Sequence, residues 1–292
     1  MNEFDLIDEI LGVLGPVAAG GVIGPGDDCS VLAPPPGQLL VSSIDTLVGG
    51  VHFPIDAPGE LVGYRAIMVS VSDLAAMGAE PAQVLVALTL EETDQGWALA
   101  VAAGMREALL ETGGRILGGN LARGQRNITS SVHGFCPESG LLTRAGARAG
   151  DGIYVTGPLG ASAAAVARQV LSDLSDPLTV RYFRPRAQVA AGLALRGIAT
   201  SAIDLSDGLL QDLDHVCRAS GAGAELESSA IPVASGADLE HALHGGDDYE
   251  LLFTAPDKPA NVDCVRIGSV SSIAGIRLDG AAVPIKGYVH FL

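Results

Sequence analysis

Lysine is nearly missing from this sequence. Lys258 and Lys286 are the two it has in 292 residues, and the other fifteen basic side chains are arginines. Against 34 acidic residues this leaves a formal charge of −17. A basic stripe for nucleic acid is excluded, as is a polybasic patch for an anionic membrane surface. With no lysine before residue 258, a Gly-x-x-x-x-Gly-Lys-Ser/Thr phosphate loop is excluded too. No Gly-x-Gly-x-x-Gly opens a helix after a strand, and no Gly-x-Ser-x-Gly elbow is present.

Other absences narrow the class further. The four cysteines, Cys29, Cys136, Cys217 and Cys264, are far apart and form no Cys-x-x-Cys, so reduced, mostly buried thiols are expected. No apolar run reaches the ~18 residues of a membrane span. The acidic start, Met1-Asn2-Glu3-Phe4-Asp5, is unlike a signal peptide, and a cytoplasmic protein is expected. Aromatics are 4% of a chain that is 48% hydrophobic, so the core must be aliphatic. What abounds is glycine: 38 residues, nearly twice the usual ~7%. Without a Gly-X-Y period, that excess implies tight turns and close backbone approaches.

Periodicity predicts helices over 3–14, 59–77 (capped by Gly78), 97–112, 161–172, 186–196 and 209–219. It predicts strands at 31–32, 39–42, 84–90, 115–117, 128–133, 153–156, 202–205, and around 249–254 and 265–270. This interleaving makes the class α/β or α+β. The aperiodic Gly/Arg/Ala stretch from Cys136 to Gly152 sets a junction between domains 1–137 and 138–292.

The residues that invite chemistry are aspartates at expected turns and element ends. Asp27 and Asp28 follow Gly24-Pro25-Gly26, Asp45 follows strand 39–42, and Asp204 and Asp207 sit where a strand hands over to a helix. Each has an ordinary use, the first pair as turn formers and Ser206-Asp207 as a helix N-cap. Asp73 differs, because Val69, Val71, Leu74, Ala75 and Met77 around it imply a largely buried helix. A carboxylate there needs a partner, and a divalent cation would serve. His241 and His244 lack an evident third metal ligand and suit a helix-end pair.

Taken in order, several segments resemble the thiamine-monophosphate kinase family. They are Gly26-Asp27-Asp28-Cys29, Asp45-Thr46-Leu47-Val48 with Val51-His52-Phe53, and Ser72-Asp73-Leu74-Ala75-Ala76-Met77-Gly78-Ala79. Then come Gly150-Asp151-Gly152-Ile153-Tyr154-Val155-Thr156-Gly157, Ile203-Asp204-Leu205-Ser206-Asp207-Gly208-Leu209, Gly245-Gly246-Asp247-Asp248-Tyr249-Glu250-Leu251 and the closing Lys286-Gly287-Tyr288. The resemblance implies an aminoimidazole ribonucleotide synthetase-like fold: an N-terminal sheet domain that dimerises and holds metal and ATP, then a C-terminal α/β domain. It implies Asp28, Ser43, Asp45, Asp73, Asp204 and Asp207 as Mg²⁺ ligands, with Asn120 at a further metal position. ATP would meet Gly119, Asn120, Arg144 and Ser206, and thiamine monophosphate would meet His52, Asp247 and Ile285.

The implied reaction moves the γ-phosphate of ATP directly, in line, to thiamine monophosphate in a cytoplasmic homodimer, with no phosphoenzyme. The acceptor is a phosphate monoester whose second pKa is about 6, so no general base is expected. Repulsion between anions is the obstacle, and several Mg²⁺ ions would relieve it. Four positions depart from the family pattern. Asn120 replaces an aspartate, Ile44 a threonine, Asp247 a glutamate, and Ile285 an aromatic that packs on the thiamine. They leave open a same-superfamily enzyme acting on a different phosphorylated small molecule, and a non-catalytic nucleotide binder.

Overall fold

The computed structural model describes residues 3–18, 22–25, 28–91 and 94–288. The chain divides into two compact units, Met1–Leu74 with Glu80–Glu138, and Ala75–Ala79 with Ser139–Leu292. Both mix helices with sheet, which is the α/β (α+β) class expected.

In the first unit α1 (Glu3–Leu14) precedes β1 (Gln38–Val48), α2 (Gly59–Ala76), β2 (Glu80–Leu90), α3 (Gln95–Thr112), β3 (Arg115–Arg123) and β4 (Asn127–Pro137). The sheet order is β1-β4-β2-β3, antiparallel except for β2 and β3, which α3 joins as a parallel crossover. β4 alternates strictly between buried and half-buried, as a sheet covered on one face must. Ile128 and Val132 bury on that face, while Leu40 and Ile44 of β1 stay exposed.

Glycine sets how closely α2 and α3 pack. A methyl at Gly63 would overlap the Val101 carbonyl, and one at Gly104 would overlap the Glu60 carbonyl. The two backbones therefore meet where side chains would hold other helix pairs at about 8–10 Å. Around this seam Val62, Ile67, Ala98, Val101, Met105 and Ala108 are all nearly inaccessible. α3 stops at Gly113, whose positive φ of 80° lets its N–H reach the Leu109 carbonyl at 2.9 Å.

The second unit is built on a seven-stranded mixed sheet, β11-β10-β7-β9-β5-β8-β6. Its strands are β5 (Gly152–Val155), β6 (Ser201–Asp204), β7 (Gly223–Leu226), β8 (Leu251–Ala255), β9 (Val265–Ser271), β10 (Gly275–Leu278) and β11 (Ala281–Ala282). The helices are α4 (Ala161–Ala167), α5 (Pro177–Phe183), α6 (Val189–Ala194), α7 (Leu209–Ser220) and α8 (Leu239–His244). Every residue of β5, β6 and β8 is buried, so this sheet is covered on both faces. Ile153, Val155, Ile203 and Leu252 face a core with Leu209, Leu213 and Val216 of α7. Tyr154, Ala202, Leu251 and Phe253 face another with Leu142, Leu195, Ala75 and Ala76. That packing explains why the end of α2 belongs to this unit.

Several elements differ from the sequence reading. β1 continues through Asp45, and β3 continues through Gly119 and Asn120, so these residues lie inside strands. The helix expected over 161–172 stops at Ala167, where Gln169 adopts φ 56°. Its N–H reaches Val166 O at 3.0 Å while Val170 N–H reaches Ala165 O at 3.2 Å, closing the helix with a non-glycine residue in the left-handed position. The helix expected over 186–196 keeps its middle, Val189–Ala194. α5, which had no predicted counterpart, starts from Asp176, whose carboxylate accepts the Leu178 N–H at 2.8 Å with Pro177 in the first turn. Short β7, β10, β11 and α8 also lacked readable periodicity. Cys136, Cys217 and Cys264 are buried and Cys29 is exposed, and none of the four is in a disulfide.

The helix seam generates a first prediction. Gly104→Ala should lower stability by at least about 2 kcal/mol through backbone overlap. Gly96→Ala, in the same helix with open space beside it, should leave stability unchanged or slightly raised. Urea unfolding of both variants checks the pair; equal midpoints would show that the backbones are not in contact.

Candidate functional site

In the first unit, strand alternation puts Ser43 and Asp45 of β1 on one face, and α2 brings Asp73 against them. Ser43 Oγ donates a short hydrogen bond to Asp73 Oδ2. Burial pushes the Asp45 carboxyl up to about 6, with the charge of Asp73 adding to the rise and a hydrogen bond with Ser70 opposing it. Asp45 Oδ2 is buried without a hydrogen-bond partner. Two repelling carboxylates, a hydroxyl and an orphaned oxygen form an all-oxygen donor set that fits a hard divalent cation.

The other first-unit candidates are placed around this group differently. Asp28 lies on an exposed bend; Gly26 and Asp27 lie outside the described residues. Asp45, Ser130, Val86 and Gly119 share one row across the four strands, so Gly119 is about 14 Å from Asp45 at normal strand spacing. A methyl at Gly119 would overlap the Val86 carbonyl, so the strands require glycine there. Asn120 falls in the next row with Ala87, Thr129 and Thr46, and therefore faces the opposite side of the sheet from Asp45. The chain's own geometry does not bring Asn120 to the Asp45–Asp73 pair.

His52 sits in the turn after β1, where its Nδ1 accepts the Val48 N–H at 2.9 Å. In the neutral ring the proton is then on Nε2, which becomes a donor. The turn is braced from below. Phe53 stacks on Trp97, centroids 6.2 Å apart, and Trp97 Nε1 donates to Ala57 O at 3.0 Å. Arg126 lies 4.7 Å over the Trp97 ring and holds Asp94 with two 2.8 Å bonds. It also donates to Ile55 O. The Arg126 hydrogen bonds keep the Asp94 carboxyl below its ordinary value.

In the second unit, buried Asp204 ends β6 and the chain turns through Ser206 and Asp207 into α7. The sequence suggests a Ser206 cap with open N–H groups for an anion. Instead, one oxygen of Asp212 accepts the N–H of Ser206 at 3.1 Å, Asp207 at 3.0 Å and Gly208 at 3.1 Å. Burial pushes the Asp212 carboxyl up to about 7, against the three N–H bonds that favour its charge. Asp207, Asp212 and His215 also hold ligand atoms within 4.8 Å of one another.

Asp247 and the C-terminal segment close on this turn. Asp247 N–H donates to Ser206 O at 2.9 Å, and Tyr249 Oη donates to Asp247 Oδ1 at 2.8 Å. Asp247 and Tyr249 both have positive φ, 67° and 54°, a conformation non-glycine residues rarely hold without support. Tyr288 N–H donates to Asp207 O at 3.0 Å, and Gln211 Nε2 bridges Asp207 Oδ2 and Tyr288 O. Ile285, three residues earlier, is 36% exposed. Arg144 is exposed on a loop fixed by Ser220, whose hydroxyl donates to Arg144 O and accepts from Gly146 and Ala147 N–H. His241 and His244 end α8, the former within a capping box on Asp238.

Sequence reasoning missed Asp212, Ser70 and the Arg126 brace. Asp212 carried a faint signal, an aspartate four residues beyond Gly208 in a first helical turn. Arg126 carried none, because its partners are distant in sequence.

Two family models cover the chain: AIR synthase related protein, N-terminal domain, over residues 26–136, and its C-terminal domain over 148–266. Thiamine-monophosphate kinase of Salmonella typhimurium is 40% identical over 297 residues, spanning 92% of this chain and 91% of the relative. The crystal structure of thiamine-monophosphate kinase from Stenotrophomonas maltophilia K279a superposes with TM-score 0.86 at 33% identity, over 97% and 98% of the two chains. A structure described as AaThiL complexed with AMPPCP and TMP gives TM-score 0.82 at 31% identity, over 99% and 97%.

The brace under His52 is open to test. Arg126→Lys keeps the charge but loses the fork, and should destabilise by about 1–3 kcal/mol. Trp97 is the single tryptophan, so its emission in the folded variant should shift. An unchanged spectrum and midpoint would remove the proposed brace.

Proposed function

The chain belongs to the thiamine-monophosphate kinase family of AIR synthase related proteins, and from that premise we propose that it transfers the γ-phosphate of ATP to thiamine monophosphate. The products are thiamine diphosphate and ADP. The observation that carries the metal-assisted form of this reading is the Ser43–Asp45–Asp73 group with its orphaned oxygen. Support for the substrate pair comes from the 31% identical neighbour complexed with AMPPCP and TMP.

Asp45, Asp73 and Ser43 would hold Mg²⁺ in the first unit, with Asp28 as a further donor. Asn120, on the other face of the sheet, would serve only a separate ion. Asp204 and Asp207 would hold Mg²⁺ in the second unit. Bound Mg²⁺ supplies charge neutralisation among the phosphates. The protein's own side chains have the tasks of binding and alignment. Arg144 offers a planar fork for two phosphate oxygens, Ser206 a hydroxyl to ATP, and Gly119 a strand surface without a side chain. His52 presents Nε2–H toward the acceptor because Val48 fixes Nδ1. Asp247 and Ile285 contact the thiamine. Near neutral pH the acceptor phosphate is already largely dianionic, so no side chain takes a proton and transfer proceeds in line without a phosphoenzyme.

In this reading residues 1–137 carry metal, ATP and the dimer contact, and 138–292 form the C-terminal α/β domain. Exposed Leu40 and Ile44 on the open sheet face support a homodimer through that face. Among the described residues no helix is long and apolar enough to cross a membrane; the proposed setting is the cytoplasm. A second reading keeps the ATP site and changes the acceptor. It is favoured by Ile285, which can supply apolar contact but no ring, and by Asp247, whose carboxylate is already bonded to Tyr249.

Incubation with ATP, Mg²⁺ and thiamine monophosphate should yield thiamine diphosphate and ADP by chromatography, and folded protein giving no diphosphate would overturn the reading. Stabilisation by another phosphorylated metabolite above thiamine monophosphate in a thermal-shift series would favour the second one. Asp45→Asn should reduce turnover at least about 100-fold. In EDTA at pH 8 the same variant should melt at or above the wild type, because it removes one of two facing charges, and Mg²⁺ should no longer raise its melting temperature. A lower melting temperature in EDTA, with the Mg²⁺ shift retained, would contradict the metal assignment.

A further inference from the structure

The turn carrying Ser206 and Asp207 has no backbone N–H left to offer a ligand. Both N–H groups, and that of Gly208, donate to the same Asp212 oxygen at 3.0–3.1 Å. Ser206 O accepts from Asp247 N–H at 2.9 Å, and Asp207 O accepts from Tyr288 N–H at 3.0 Å. Room is equally restricted. A methyl at Gly246 would overlap Ser206 O, and one at Gly208 would come within 2.9 Å of the His244 carbonyl group. Only the side chains of Ser206 and Asp207 remain to act.

Helix N-termini usually attract anions because their first N–H groups lack partners. Here the three N–H groups that lead into the helix, those of residues 206–208, are filled by a carboxylate from the helix itself, one turn in. Asp212 is 2% exposed, while Gly208, at the cap position, makes no side-chain cap bond. A phosphate could reach these N–H groups only by displacing a buried carboxyl group, which would then lose its three donors.

We propose that Asp212 is a positioning residue: a built-in acceptor that ties down the turn leading into α7, so that Ser206 and Asp207 present their side chains to the nucleotide and its ion. The inference rests on the reading of Ser206 and Asp207 given above for ATP and Mg²⁺. It adds that the N–H groups of residues 206–208 are not donors to the phosphates. Binding at this turn is then through side chains, with their geometry set by three hydrogen bonds to one oxygen.

Amide exchange on the unliganded wild type tests the first part without any variant. The amides of 206–208 should be protected at least about 100-fold over an unstructured chain, and Mg·ATP should change them little. Amides that exchange as an open loop until Mg·ATP binds would overturn the proposal, since they would then be the nucleotide's own donors. The second part uses Asp212→Asn, which is isosteric, and Asp212→Glu, which keeps the charge but displaces it by one methylene. In Asp212→Asn the 205–209 segment should exchange at least about tenfold faster, with Mg·ATP affinity by calorimetry and kcat each at least about tenfold lower. KM for thiamine monophosphate should stay within about threefold. Asp212→Glu should fall between the two if it folds. Faster exchange with unaltered Mg·ATP affinity would reduce Asp212 to a purely structural bond and overturn its positioning role. A wild type that binds Mg·ATP but leaves thiamine monophosphate untouched would sink the proposed acceptor, and the exchange and affinity results would still decide this inference.

Discussion

Two carboxylates held face to face, Asp45 on a strand and Asp73 on a helix, set the terms for the first unit. Burial and mutual repulsion both act against charge at Asp45, and one of its oxygens has no hydrogen-bond partner. An arrangement of this kind relaxes unless the surrounding backbone is rigid. The rigidity is visible in α2, which carries Asp73. Its backbone lies directly against α3 at Gly63 and Gly104, where no side chain intervenes to yield. Helix packing joins the hydrogen bonds of Ser43 with Asp73 and of Ser70 with Asp45 in keeping the acid pair in place.

The second unit solves the opposite problem. There the difficult groups are the donors of the turn leading into α7, and the chain answers with Asp212. An internal carboxylate is a more exact anchor than a bound anion, since it arrives on a fixed helical turn and loses little freedom on docking. Asp247 and Tyr288 then satisfy the carbonyls of the same two residues, so the turn is held from both directions. The left-handed conformations of Asp247 and Tyr249 follow from this demand. They let one loop deliver an N–H to Ser206 O and another to Leu205 O, and the Tyr249 hydroxyl to Asp247.

How much of this was legible depended on whether the signal was local. The α/β class, the long helices α2 and α3, and the aspartates all announce themselves by spacing or residue type. Strand ends did not: Asp45 reads as a residue after a strand because Ser42-Ser43 interrupts the apolar run, yet the strand continues as an exposed edge. Likewise the expected strand 115–117 stops short of Gly118-Gly119-Asn120, whereas the strand runs on and cross-strand contact is what requires the glycine at 119. The face on which Asn120 lies could not be read at all, because it depends on register through β2 and β4. Arg126 escaped for a related reason, because the carboxylate it holds is 32 residues away. Asp212 lies only four to six residues from its partners, but an aspartate in a first helical turn is too ordinary to reveal that it caps the turn before it.

The scarcity of lysine acquires a structural meaning from these arrangements. A flexible ammonium can follow a phosphate as it moves, and a site built on lysines tolerates loose backbone. A site built on aspartates must present oxygens at fixed separations to a cation that accepts few geometries. Small errors in backbone position then translate directly into lost ligands. The features that fix the backbone here are backbone contact at glycine, a turn saturated by Asp212, and a histidine whose tautomer is set by a main-chain N–H. All are devices for removing freedom around acidic or polar side chains. The high glycine content and the acidic balance thus belong to one design: glycine permits the close approach that holds carboxylates rigid, and in the proposed reading a cation held by them would do the work of cationic side chains.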